Sequence, residues 1–221
     1  MNEHHRLTPI IDHAVQSPRV SGERSPLAES GGSYVESPSL DDLSTREWEF
    51  LDRQRRPYLA QEQATQALEM LAAQKDAPTF GYQVNNYEHC LQSATLALRA
   101  GEDEETVVCT LFHDVGFIVC NDCHGEFAAQ MLRPYISERN FWMLERHMYF
   151  QAVHHIHHPV ADRNVRERWR GHPHFEYAAE WVAKYDQNAI SAAFENASLA
   201  DFEPMVRRVF ARVPREIPLP R

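Results

Sequence analysis

The chain has 221 residues and a net charge of −10, long enough for one domain with a sizeable core. So acidic a balance excludes a phosphate-backbone partner, and no nucleic acid is expected. No run of about 18 apolar residues occurs, which excludes a helical membrane span. The start, MNEHHRLTPI, lacks a secretory signature, and four cysteines (Cys90, Cys109, Cys120, Cys123) fit free thiols in a reducing compartment. Cytoplasm is the expected location.

Serine, proline, glycine and charge dominate the first part of the chain, and Gly31, Gly32 and Pro38 break any periodicity. Residues 1–39 read as a flexible N-terminal arm, residues 40–221 as a helical domain. A homo-oligomer is among the arrangements such an arm allows. Trp48, Leu51 and Arg55, then Gln61 to Ala73, predict two early helices separated near Pro57. Val84, Tyr87, Leu91, Ala94 and Leu98 recur at helical spacing, and Gly101 is a natural stop. Glu102 to Val119 predicts the next helix, acidic in its first turn as the macrodipole favours. Cys123 to Leu132 forms a short helix before Pro134. Glu138 to His158 reads as the longest helix, and Phe175 to Gln187 as the last. No stretch alternates like a strand, so the fold class is all-α.

The segment CTLFHDVGFIV sets His113-Asp114 inside an apolar run. Burying an imidazole beside a carboxylate is costly unless both face a cation, which turns the penalty into binding energy. His89 and His113 lie about equally far from the Gly101 turn, so an antiparallel helix pair brings them together. His124, His147 and Asp186 extend the series to four imidazoles and two carboxylates. Two ions could use all six, with Asp114 bridging, and still keep open positions for chemistry. His147, Gln151, His154 and His158 fall at i, i+4, i+7 and i+11, one helix face. On that register Gln151, His154 and His158 are candidate substrate contacts, with Tyr82 and Arg163.

Blander readings apply to other motifs. Cys120-Asn-Asp-Cys123-His124 matches the haem-attachment pattern, but that chemistry belongs outside the cytoplasm. A zinc site on these two cysteines lacks a second pair. The arginines between Arg163 and Arg170 more often form a solvated face than an anion site.

The pattern H…HD…D, met by His89, His113-Asp114 and Asp186, resembles the HD-domain superfamily. With His124 and His147 it is similar to the binuclear branch. The segments YEHCLQSA, LFHDVG, HGEFAAQML and KYDQNA resemble the mixed-valent diiron oxygenases, among them myo-inositol oxygenase and the hydroxyphosphonate oxygenases. The resemblance implies an HD-domain helical bundle holding two iron ions, Fe(II) and Fe(III). His89, His113 and Asp186 would hold one ion and His124 and His147 the other, with Asp114 bridging. It also implies O2 as co-substrate and a small polar, hydroxyl-bearing substrate, oxidised or cleaved beside that hydroxyl. Gln151 stands where the phosphonate members carry a lysine, and Ala183 stands near a position of an arginine. Phe117 stands where many members of the superfamily carry a further histidine after the His-Asp doublet. These departures weaken a clamp for a dianion and favour a polyol, amino alcohol or hydroxy acid. The alternative is a metal-dependent phosphohydrolase acting on a small phosphate ester or nucleotide, with manganese or another divalent ion.

Overall fold

The computed structural model describes residue 35 and residues 39–215. Nearly all of the expected N-terminal arm lies outside the described residues. The chain divides into two units, residues 1–59 and 60–221, within the first long helix. Among the described residues the first unit contains a 3₁₀ turn, Leu40–Asp42, and the start of helix α1, Thr45–Ala72. The expected break at Pro57 is absent, and α1 is the longest helix. Proline removes one ladder bond, a local loss in a helix of 28 residues. Its second half carries a core face: Ala64, Ala67, Leu68 and Leu71 are buried at i, i+3, i+4 and i+7.

The second unit continues with α2 (Asn86–Arg99), α3 (Glu104–Phe112), α4 (His124–Leu132), α5 (Glu138–Gln151), α6 (Phe175–Lys184) and α7 (Leu199–Phe210). No strand occurs among the described residues, and the fold is an all-α helical bundle. An Asn85–Glu88 capping box starts α2, and Gly101 at φ +79° reverses the chain into α3. Helix α3 is the centre of the bundle: Thr106 through Phe112 are all buried, and it packs against α2, α5 and α7. A helix enclosed on all sides must be apolar all round, which is why its sequence shows no polar face. Trp181, Phe112, Phe150, Phe175 and Phe202 are the largest fully buried side chains around it.

Three boundaries differ from the sequence reading. Helix α3 ends at Phe112, and residues 113–119 form successive turns closed by Val115 N–H to Phe112 O and Phe117 N–H to Asp114 O. Helix α5 ends at Gln151 and passes through a 3₁₀ turn, Ala152–His154, so the face expected to reach His158 is not continued. Helix α6 stops at Lys184, and Asp186 opens a 3₁₀ turn. Helix α7, started by a Ser198–Asp201 capping box, is an element beyond those expected, and Pro204 lies inside it.

A carboxylate joins α3 to the start of α5. Glu105 accepts from Ser137 N–H at 2.6 Å and Asn140 Nδ2 at 2.9 Å, and it pairs with Arg212. Burial by itself would raise the Glu105 pKa, but the bonds from Ser137, Arg212 and Asn140 outweigh it and hold it below the ordinary 4.5. A lowered folded pKa means stability present above the unfolded value and lost as pH falls through the folded one. Glu105→Gln is therefore expected to cost about 1–3 kcal/mol at neutral pH and to flatten the acid limb of the unfolding curve. Urea titrations of both proteins at pH 7 and pH 4 check this; equal loss at both pH values would contradict it.

Candidate metal centre

His89 sits on α2, His113-Asp114 in the turn after α3, His124 at the start of α4, His147 on α5 and Asp186 after α6. All six are buried and converge. His89 and His113 bring their Nε2 atoms to 3.0 Å, and His124 and His147 to 3.2 Å. Two nitrogen donors about 2.1 Å from one ion and at right angles to each other stand about 3.0 Å apart. Asp186 Oδ1 lies 3.5 Å from His89 Nε2 and 3.8 Å from His113 Nε2. Asp114 addresses both pairs: Oδ1 is 2.9 Å from His124 Nε2 and 3.1 Å from His147 Nε2, while Oδ2 is 3.5 Å from His89 Nε2. His113 Nε2 is also 3.6 Å from Asp114 Oδ1, so it stands at the junction. His113 belongs to two sets of possible donors: His89, His113 and Asp186, and His113, Asp114 and His147.

The ring tautomers are fixed by the backbone. Each Nδ1 meets a carbonyl oxygen: His89 with Ala189 (3.0 Å), His113 with Thr110 (2.7 Å), His124 with Asn121 (2.6 Å) and His147 with Leu144 (2.8 Å). A carbonyl only accepts, so each Nδ1 carries the proton and each Nε2 presents a lone pair inward. Two lone pairs at 3.0 Å repel unless a proton or a metal ion lies between them. The electrostatics agree. Burial pushes the His113 pKa down to about 4. Burial would lower His89 too, but the Asp186 hydrogen bond and the charges of Asp114 and Asp186 lift it to about 9. Burial opposes ionisation of Asp114 and Asp186, yet the surrounding imidazoles hold both below the ordinary carboxylate value. Burial would lower His124 as well, but Asp114 lifts it in the same direction as His89, so the two carboxylates favour positive charge among these imidazoles. Asp186 Oδ2 is buried without a hydrogen-bond partner, a second sign of a cation site. The donor set fits metal ions, with nitrogen and carboxylate oxygen and no thiolate.

Supporting contacts lie outside the sequence pattern. Gln74 Nε2 donates to Val115 O at 2.7 Å, and Asn86 Nδ2 donates to Gln74 Oε1 (2.7 Å) and Asp114 O (2.9 Å). This clamp fixes the turn that carries His113 and Asp114. Gln92 exchanges two bonds with Ser191, which holds the loop offering Ala189 O to His89. Trp181 Nε1 donates to Thr110 Oγ1 at 2.8 Å and lays its ring edge against His113. Amide and tryptophan positions of this kind carry no metal-ligand pattern, so only tertiary contact reveals them.

The centre forms the floor of a cavity of about 400 Å³. Of the expected substrate contacts, Tyr82, Gln151 and His154 line it. His158 and Arg163 do not: His158 lies past the end of α5 and accepts from Val160 N–H, and Arg163 donates to Val153 O at 3.0 Å. Gln151 is turned toward the ligands, donating to Asp186 Oδ1 at 2.9 Å. Gln151→Ala is accordingly expected to weaken binding of one ion by roughly 10- to 100-fold while helix content is unchanged. Metal titration followed by circular dichroism checks both; unchanged affinity for two ions would assign Gln151 to the cavity alone. Cys120 and Cys123 are free thiols beside His124, the first half-buried and the second exposed.

Residues 86–199 match the family model described as HD domain, just over half of the chain. The chain belongs to the HD-domain family, whose members are typically metal-dependent enzymes. Comparison with curated proteins gives no match. Among the described residues no helix is long and apolar enough to cross a membrane.

Proposed function

We propose that the chain is a non-haem diiron oxygenase that uses O2 to oxidise or cleave a bond next to a hydroxyl of a small substrate. The observation that carries this reading is Asp114, whose Oδ1 faces His124 and His147 while its Oδ2 faces His89. Two iron ions bound there supply a Lewis acid for the substrate hydroxyl and a one-electron path to O2.

The residues of the chain divide the remaining work. His89, His113 and Asp186 would hold one ion and His124 and His147 the other, with Asp114 shared between them. Gln151 keeps Asp186 oriented, and the Gln74–Asn86 clamp keeps Asp114 in register. His154 lines the cavity, and burial lowers its pKa, so at neutral pH it is uncharged and able to accept the proton of a substrate hydroxyl. Phosphoryl transfer is the weaker reading, because it needs cationic groups around the leaving phosphate, and among the described residues no lysine or arginine lines the cavity. Lys184 pairs with Glu180 outside it.

The test is electron paramagnetic resonance of iron-loaded protein after partial reduction and brief exposure to air. A half-integer-spin signal from a coupled Fe(II)/Fe(III) pair supports the assignment. One iron per chain with no such signal, or tighter binding of a redox-inert ion, overturns it in favour of hydrolysis.

A further inference from the structure

The metal centre explains the floor of the cavity but not its walls. Toward the mouth the lining is apolar: Val84 is buried, and Phe80, Tyr82 and Ile190 are 65%, 64% and 47% exposed. Phe117 completes the ring, its centroid 6.3 Å from that of Phe80. Exposed aromatics beside a deep polar floor are an arrangement that water alone does not favour. Phe80 is held there at φ +54°, a conformation few aromatic residues adopt, by a turn in which Tyr82 N–H donates to Thr79 O at 3.0 Å. The loop is tied across the mouth, since Gln83 accepts from Ala192 N–H at 3.1 Å.

Thr79, Tyr82, His154 and His155 line the wall beside four carboxamides, whose donors are largely engaged. Asn85 Nδ2 donates to Lys75 O and Ala77 O, and Asn86 Nδ2 to Gln74 and Asp114 O. Gln151 Nε2 donates to Asp186, and Gln187 Nε2 to Ala183 O and Asn188. The Asn85, Asn86 and Gln187 amides spend both N–H groups on the protein, and Gln151 spends one on Asp186. A sugar-like polyol would bury several hydroxyls against Phe80, Phe117 and Ile190, which offer no hydrogen bond, a penalty for each unpaired group. A phosphate or phosphonate would meet no fixed positive side chain among the described residues of the lining.

We infer that the substrate is an amphiphilic alcohol: a hydroxyl-bearing head that reaches the His/Asp floor, and an uncharged apolar body lying against Phe80, Tyr82, Phe117 and Ile190. The inference rests on the metal-centre reading above and narrows its substrate to one carrying a single polar end. The head is recognised by the ions and His154, the body by burial alone, so specificity resides in length and shape rather than in charge.

Isothermal titration of the iron-loaded, full-length protein without O2 tests it, because binding is then read apart from turnover. The probes are 1,2-butanediol, 1,2-hexanediol and 1,2-octanediol, with myo-inositol and glycerol 3-phosphate as polar comparators. Affinity is expected to rise roughly threefold per methylene and to exceed that of both comparators. The double variant Phe80→Ser, Ile190→Ser replaces two exposed side chains outside the ligand set. It should abolish the length dependence at unchanged iron content. Flat affinity along the series, tighter binding of either comparator, or a length dependence unchanged in the variant would overturn the inference. Length-dependent binding in a protein that lacks the mixed-valence signal would sustain this inference and overturn the oxygenase reading. Flat binding in a protein that has the signal would do the reverse.

Discussion

Asp114→Ala is expected to take the metal content from two ions per chain to none while the helices remain. The carboxylate reaches across the cluster, its Oδ1 facing His124 and His147 and its Oδ2 facing His89. Without it the His124–His147 pair has no anionic partner, and the first pair keeps Asp186 alone. Two cations held close together repel, and a shared carboxylate is what offsets that repulsion in a buried site. Elemental analysis after dialysis gives the stoichiometry. A second readout separates lost binding from lost folding. Metal that binds only the folded chain stabilises it by about 2.7 kcal/mol at a hundred times its Kd. The melting temperature of the parent protein should rise with added metal, and that of the variant should not move. A variant retaining two ions would sink the bridging assignment.

The cluster of possible donors is legible in the sequence because each member is a chemically conspicuous residue in a strong local context. His113-Asp114 lies in an apolar helix end, and the Gly101 turn places His89 opposite it at equal distance. Helix existence follows from periodicity for the same reason, since Leu91 and Ala94 mark the core face of α2. Helix ends are less legible. The stop of α3 at Phe112 has no glycine or proline to announce it; it occurs where His113 turns its ring onto the Thr110 carbonyl. The end of α5 at Gln151 is hidden by the run of histidines beyond it, which continues the apparent register to His158. Pro57 misleads in the opposite direction, because a breaker signal is local while a long helix is cooperative.

Gln151 shows a different limit. Its position on the His147 face is plain from spacing, but a face does not say which neighbour the amide meets. The partner, Asp186, is 35 residues away in sequence, and the bond exists only once α5 and α6 pack. The same holds for Gln74, 41 residues from Val115. Sequence pattern therefore identifies what can ligate, and packing decides what holds the ligands still.

Gly125→Ala carries that distinction to a single hydrogen-to-methyl change. Gly125 follows His124 on α4, and α4 packs closely on α5. A Cβ on Gly125 would lie 2.7 Å from Leu144 O and 3.1 Å from His147 Nδ1. Those two atoms are the hydrogen bond that orients the His147 ring. Neither atom is the free end of a flexible chain, since one is helix backbone and the other a fully buried ring. The helices must part by a few tenths of an ångström or the ring must turn, and either motion separates His147 Nε2 from His124 Nε2. Overpacking of this kind costs about 1–3 kcal/mol in stability. The larger effect is expected on metal content: one ion per chain, held by His89, His113 and Asp186, with the second ion bound at least roughly a hundredfold more weakly. The mixed-valence resonance should vanish while a signal from isolated iron remains. Gly125→Ser should behave alike, because the obstacle is the Cβ itself and not the atoms attached beyond it. Two ions at parent affinity in Gly125→Ala would show that α4 and α5 can separate without disturbing the pair, and would remove His124–His147 contact as the determinant of the second site.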